Sequence, residues 1–318
     1  MDDIRENSVS RKKITVVGAG NVGAATAHIA AQRELGDVVL LDIVKGLAQG
    51  KALDIAQLGG VYPYSGQVVG TADWGKTSDS DIVIITSGVP RKPGMSRDDL
   101  LATNAKIVKS VAEQTAKHSP GSIIIVVCNP LDVMVYVAGK ISGLKNGRVM
   151  GMAGVLDSAR FAYFIAKELG VSVSDVSGVL MGGHGDDMVP LRRYTLVGGA
   201  PLPQLMDETI IEKLIERTRK GGIEIVNLLG YSAYYAPAAG AVRMAEAIIR
   251  DEKATLSCCA WCQKEYNVGG AFVGVPVVLG AAGVEKILEL ELTEREMQDF
   301  QASVGRVKEL VLRVEQML

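Results

Sequence analysis

Behind the apolar run Ile14-Thr-Val-Val17, glycines stand at 18, 20 and 23 in Gly-x-Gly-x-x-Gly order, and a helical pattern follows. Gly18 permits a tight turn, Gly20 lets backbone amides reach a pyrophosphate, and Gly23 lets the helix close on the strand. The helix N-terminus then offers free N–H groups and a partial positive charge to the phosphates. A second apolar run, Val38-Val-Leu-Leu41, ends in Asp42, at the separation this motif requires. A carboxylate there accepts from ribose hydroxyls and repels a 2′-phosphate, so NAD and not NADP is the expected cofactor. Thr86 and Gly88 end the run that starts at Ile82, and Asn129 follows Val126-Val-Cys128. Small and polar residues at that edge would line a nicotinamide pocket. Asn129 suits equally a contact to the nicotinamide ribose or substrate hydroxyl and a plain turn residue before Pro130.

Oxidation of a hydroxy acid by such a cofactor also needs a base for the hydroxyl proton and cations for the carboxylate. The chain has three histidines. His28 falls inside the first crossover helix, where packing explains it, and His118 closes a surface helix before Ser-Pro-Gly. His184 lies in Gly182-Gly-His-Gly-Asp186, where flanking glycines leave an imidazole open to a ligand. By elimination His184 is the expected base. Asp157 and Arg160 are three apart at the opening of a helix and so share a face. Asp157 could hold the tautomer of the base, and Arg160 could take a carboxylate by two parallel hydrogen bonds. The plainer reading is a helix cap followed by a surface arginine. Gly88-Val-Pro-Arg91-Lys-Pro-Gly94-Met-Ser-Arg97 reads as a loop on the cofactor edge. It is either a cation-bearing lid or a solvated basic loop.

Four cysteines, three of them at 258, 259 and 262, form no disulfide framework in a chain of this size. Cys259-Ala-Trp-Cys262 has redox or zinc spacing but no second Cys or His pair nearby, so buried strand residues are expected and no metal site. A reducing, cytoplasmic compartment follows.

These residues need a frame. Short β-branched runs at Ile14–Val17, Val38–Leu41, Val68–Val69, Ile82–Ile85 and Ile123–Val127, with a candidate at Arg148–Met150, alternate with helical stretches at Val22–Arg33, Lys51–Leu58, Ser96–His118 and Leu131–Ile141. Apolar runs without polar alternation imply strands covered on both faces. The expected fold class is therefore α/β, a doubly wound parallel Rossmann sheet over residues 1–150. An α+β substrate or catalytic domain is expected over 151–318. It would hold a helix at 158–169, hairpin material at Val189–Val197, helices at Asp207–Leu229 and Ala236–Arg250, strands near Ala254–Tyr266 and Ala271–Leu279, and a closing helix at Glu294–Met317.

At 318 residues, 48% hydrophobic and 22% charged, the chain has material for two cores. A formal charge of −2 gives no forecast of nucleic acid or an anionic membrane as partner. The polar start, Met1 to Lys13, lacks the apolar core of a signal peptide, and the apolar runs have strand length.

From Lys13 to Glu289 the sequence resembles the lactate/malate dehydrogenase family, and within it the lactate-dehydrogenase-like malate dehydrogenases. The resemblance is carried, in order, by Gly18-x-Gly20-x-x-Gly23, Asp42, Arg91-Lys-Pro-Gly-Met-Ser-Arg97, Cys128-Asn-Pro, Asp157-Ser-Ala-Arg160 and Gly-Gly-His184-Gly-Asp. It implies that His184 exchanges the substrate proton, Asp157 orients it, Arg160 binds the carboxylate beside the reacting carbon, and Arg97 polarises the carbonyl oxygen. Arg91, where lactate dehydrogenases of the family typically carry Gln, would pair with the second carboxylate of malate or oxaloacetate. Asn129 is expected at both substrate and cofactor, and Asn21, Val22, Thr86, Gly88 and Asn104 join the glycines and Asp42 as expected NAD contacts. Family members are dimers or tetramers, so a homodimer or homotetramer is expected, with helices 22–33 and 207–229 as candidate contacts.

Two residues depart from the family pattern. Asp187 stands where Thr is expected; if its carboxylate approached His184 it would favour the imidazolium and move the pH optimum of malate oxidation upward. Tyr231 replaces a Gly near the substrate pocket, where Ser232 and Ala233 would otherwise be lining residues. Two rivals share these residues: another 2-hydroxy acid such as lactate, against which Arg91 argues, and a non-catalytic NAD sensor, which has no need of a proton relay.

Overall fold

The structure, a computed structural model, describes residues 11–90 and 96–318. The first half alternates β1 (Lys13–Val17), α1 (Asn21–Gln32), β2 (Asp37–Leu41), α2 (Leu47–Gln57), β3 (Val68–Thr71), β4 (Ile82–Ile85), α3 (Arg97–His118), β5 (Ile123–Val126), α4 (Leu131–Ser142) and β6 (Val149–Gly151). The six strands lie in the order β3-β2-β1-β4-β5-β6, all parallel. Strand order reverses between β1 and β4, and the crevice above such a switch point is where α/β sheets bind ligands.

The reason for unbroken apolar strands is visible in the packing. Alternate residues feed two separate cores: Ile82, Ile84, Ile123 and Ile125 join one, and Val83, Ile85, Ile124 and Val126 the other. Burying each of these side chains contributes about 1.5–3 kcal/mol. α3 starts on a reciprocal capping box between Ser96 and Asp99.

The second half runs α5 (Gly154–Leu169), β7 (Val176–Ser177), β8 (Leu180–Gly182), β9 (Met188–Pro190), β10 (Leu196–Val197), β11 (Ala200–Pro201), α6 (Glu208–Leu229), α7 (Tyr235–Ile249), β12 (Ala254–Cys262), β13 (Ala271–Gly280), β14 (Gly283–Ile287) and α8 (Glu294–Glu315). Its main strands do not form a separate sheet. β12 pairs antiparallel with β6 through Cys259 and Gly151, and the sheet continues through β13, β8 and β9.

Three elements differ from expectation. The segment expected as hairpin material, 189–197, is shared between two hairpins: its start belongs to β8–β9, which frames His184, its end to β10–β11, and a 3-10 segment at Arg192–Tyr194 lies between. α5 begins at Gly154, so Asp157 sits within its first turn and not at its cap. β14 is an additional edge strand.

Cys258, Cys259 and Cys262 are buried residues of β12, as expected. Residues three apart on a strand face opposite ways, and Cys259 lies in one core while Cys258 and Cys262 lie in the other. Among the described residues no helix is long and apolar enough to cross a membrane.

Candidate active site

The loop after β1 is shaped by two glycines that admit no side chain. A Cβ on Gly23 would stand 1.7 Å from the carbonyl oxygen of Gly18, and Gly18 itself adopts φ +104°. Gly20, by contrast, faces open space: a Cβ there would meet nothing within 4 Å. Gly20 is also the N-cap of α1 and supplies no side-chain cap. The first N–H groups of α1 at Asn21, Val22 and Gly23 thus border an open cradle of the kind a pyrophosphate fills.

Asp42, at the end of β2, accepts from the backbone N–H of Ala19 at 2.6 Å and of Val44 at 2.8 Å. Its carboxylate is therefore fixed beside the glycine loop. The Thr86 hydroxyl donates to the carbonyl of Val17 or Gly18, at 3.1 and 3.0 Å, so it braces that loop from β4. Asn104 is buried and uses both ends of its amide on backbone: Oδ1 accepts from Val89 N–H at 2.8 Å, and Nδ2 donates to the Asn129 carbonyl at 2.7 Å. It ties together the loops that follow β4 and β5. Gly88 lies under them, where a Cβ would come within 3.3 Å of the Asn104 Oδ1. The Asn129 side chain is exposed above this edge.

His184 lies in the β8–β9 turn. Gly182 and Gly185 bracket it with φ of +82° and +87°, a region L side chains rarely adopt. His184 Nδ1 lies 2.8 Å from Asp157 Oδ2. Donation from Nδ1–H to the carboxylate leaves the Nε2 lone pair as the proton acceptor. Asp157 Oδ1 faces the Arg160 guanidinium at 3.4 Å, and the Asp157 side chain is only 3% exposed. One buried carboxylate thus orients both the imidazole and the arginine. Burial alone would depress the His184 pKa, but the charge and hydrogen bond of Asp157, with the charge of Asp132, hold it above the ordinary 6.5. Burial pulls Arg160 below its usual range, and Asp157 opposes that pull.

Arg91 lies outside the described residues. Arg97 is the first residue of α3, and its side chain also lies outside them. Asp187 does not turn to His184. Its carboxylate pairs with Arg306 on α8, and its carbonyl accepts from the Ser303 hydroxyl at 2.7 Å. The upward influence on His184 comes instead from Asp157 and Asp132. Tyr231 is exposed at the α6–α7 junction, its ring 6.1 Å from that of Tyr234.

The first half of the chain, residues 12–151, matches the family model for the NAD-binding domain of lactate/malate dehydrogenases, and residues 154–317 match the model for their α/β C-terminal domain. The chain belongs to the lactate/malate dehydrogenase family. Its NAD-binding half is the one that carries the glycine cradle. A curated relative, the malate dehydrogenase of Rhodopirellula baltica, is 55% identical over 97% of this chain and 99% of its own. The solved malate dehydrogenase of Salinibacter ruber superposes with a TM-score of 0.93 at 51% identity, covering 96% of this chain and 98% of that one. A lactate dehydrogenase from Cryptosporidium parvum, solved with lactic acid and the nicotinamide cofactor, also superposes at 0.93, with 43% identity over 96% of this chain and 99% of that one. Family membership fixes an NAD-dependent oxidoreductase, and both substrate types occur among its structural neighbours.

Sequence reasoning missed three residues around this site. Asp132, in the first turn of α4, accepts the backbone N–H of His184 at 2.9 Å. Its signal is a lone acid in the apolar run Leu131-Asp-Val-Met-Val. Gly221 in α6 lies against Arg160: a Cβ there would be 3.3 Å from the Arg160 Cδ. The pair Gly221-Gly222 inside an amphipathic helix is a sign of close approach. Ser303, buried in α8, accepts from Gly183 N–H at 2.8 Å, and nothing in the local sequence marks it.

Proposed function

We propose that the protein interconverts malate and oxaloacetate with NAD, using His184 as the proton acceptor and donor. The observation that carries this reading is the buried carboxylate of Asp157, held at 2.8 Å from His184 and 3.4 Å from Arg160. It brings a base and a carboxylate-binding cation to one point.

In malate oxidation, His184 Nε2 takes the hydroxyl proton while the imidazolium that forms is stabilised by Asp157. Arg160 holds the carboxylate next to the reacting carbon, and polarising the oxygen that becomes a carbonyl falls to Arg97, as the family resemblance implies. Asn129, exposed at the end of β5, orients the ribose or that oxygen. A bound NAD would supply the hydride acceptor for C2. Gly18, Gly20, Asn21, Val22 and Gly23 would hold its phosphates and Asp42 its adenosine ribose, with Thr86, Gly88 and Asn104 shaping the edge beneath. Arg91 selects the dicarboxylate. One charge-assisted hydrogen bond to the second carboxylate is worth about 1.5–3 kcal/mol, one to two decades of preference over a monocarboxylate.

The residue ranges 1–150 and 151–318 serve as the cofactor and catalytic domains in this reading. It also has the protein as a cytoplasmic homodimer or homotetramer acting in the tricarboxylic acid cycle, with α1 and α6 as the candidate contact helices. The names of the curated relatives support malate over lactate.

The test is NADH oxidation with oxaloacetate and with pyruvate at one pH, compared as kcat/KM, for the parent and Arg91→Gln. Oxaloacetate is expected to lead by about tenfold or more, and Arg91→Gln to narrow the gap. A parental preference for pyruvate would remove Arg91 as selector. No turnover of either acid would remove the catalytic reading.

A further inference from the structure

We infer that Asp132 and Ser303 are positioning residues that seat the backbone of the His184 turn, so that the imidazole meets substrate in a productive place. The inference rests on the reading of His184 as the base.

The turn itself has little to hold it. With glycine at 182, 183 and 185, and left-handed φ at the first and third of these, its backbone has the widest conformational choice the chain allows. The Asp157 contact fixes one ring nitrogen, but a ring is aimed only when the Cα that bears it is fixed. Two buried side chains supply that restraint from two different helices. Asp132 on α4 accepts the N–H of His184 itself through Oδ2 at 2.9 Å. Ser303 on α8 accepts the N–H of Gly183 at 2.8 Å and donates its hydroxyl proton to the carbonyl of Asp187 at 2.7 Å. The turn is therefore gripped just before the base, at the base, and on its far side.

Asp132 occupies an expensive position for this purpose. It is 7% exposed, and its Oδ1 has no hydrogen-bond partner among the described residues. The Cys259 thiol on β12 faces the same carboxyl group. Burying a carboxyl group with so few partners costs stability, and an apolar residue would spare α4 that cost. The acid is accounted for by the N–H it receives. Asp132 also lies three residues beyond Asn129, so a single short segment places a proposed ligand contact and an anchor of the base.

The test uses the intact chain with NADH. Asp132→Ala, Asp132→Asn, Ser303→Ala and His184→Asn are compared for kcat and KM with oxaloacetate, for NADH affinity by fluorescence, and for thermal stability. Asp132→Ala is expected to lower kcat by about 10- to 100-fold, since an ångström of misplacement costs that much, with NADH affinity unchanged. Asp132→Asn keeps an acceptor oxygen for the N–H and restores most of that loss. Ser303→Ala lowers kcat in the same pattern, and it decides the matter if Asp132→Ala does not fold. Parental kcat in both alanine variants overturns the inference, as does a loss in which kcat and NADH affinity fall together and Asn brings no rescue. His184→Asn separates the two levels. If it keeps full turnover the base reading itself fails, whereas an inactive His184→Asn beside fully active Asp132→Ala and Ser303→Ala sinks only the positioning role.

Discussion

At the scale of single residues, the decisive quantity is the proton affinity of His184. Burial works against the imidazolium, and the carboxylates of Asp157 and Asp132 outweigh it. The His184 pKa is therefore raised above 6.5. In the proposed mechanism oxaloacetate reduction starts from the His184 imidazolium, so its kcat/KM should stay level at low pH and fall as pH rises through that raised value. Malate oxidation starts from the neutral ring and should rise through the same value. Asp157→Asn removes the strongest support for the charged form. Both inflections should move to lower pH, and kcat should drop by roughly 10²- to 10⁴-fold. An inflection that stays in place in Asp157→Asn would show that another group titrates. Stability follows the same linkage. A pKa raised by folding contributes stability that is full below the unfolded value of about 6.5 and is lost as pH rises through the folded one. The sequence marked His184, Asp157 and Arg160 because glycine neighbours and i, i+3 spacing are local signals. Asp132 and Ser303 meet the same turn from 52 and 120 residues away, and no local pattern encodes such a meeting.

At the scale of elements, the legible parts were those with a strong period or an unbroken apolar run. β1, β2, β4 and β5 and the helices between them follow from sequence because each strand is buried on both faces. β14 does not, since its Val284-Glu-Lys-Ile287 stretch is a partly exposed edge with two charges in four residues. The β8–β9 hairpin was legible only in part, because strands of three residues are too short to show a period. One contact between elements bears on the proposed substrate site. α5 carries Arg160 and packs on α6, where Gly221 leaves room for the arginine stem. Gly221→Val would put a branched side chain into the space of the Arg160 Cδ and displace the guanidinium. KM for oxaloacetate should rise about tenfold, the worth of one weakened charge-assisted hydrogen bond, while NADH affinity holds. Gly222→Val is the matched control, because a Cβ at 222 meets nothing within 4 Å. Equal KM values in the two variants would mean that α6 does not set Arg160.

At the scale of the whole molecule, the two halves share a sheet. The sequence implied a parallel sheet followed by a separate α+β unit, because strand direction across a long connection leaves no local trace. In the structure β6 and β12 pair across that join, and cores on both faces of the sheet contain residues of both halves: Ile14 with Val273 on one, Val83 with Phe272 on the other. α1 also packs on α7, linking the helix that follows the glycine loop to the second half. Unfolding one half alone would expose its share of both cores to water, so the halves should unfold together. The chain offers two natural probes, since its only tryptophans are Trp74 in the first half and Trp261 in the second. Trp74 stacks on His118, and Trp261 packs edge-on against Phe272. Trp74→Phe and Trp261→Phe each leave a single reporter. At fixed protein concentration, the two variants should give urea transitions that coincide, and NADH should shift both by the same amount. At a free NADH concentration 100 times Kd that shift corresponds to about 2.7 kcal/mol. The Trp261 reporter matters most, because it lies outside the half that binds the dinucleotide. If it melted early and ignored NADH, the shared sheet would be a contact between independent domains. If it moved with Trp74, cofactor binding to the glycine loop would stabilise the His184 turn through the continuous sheet.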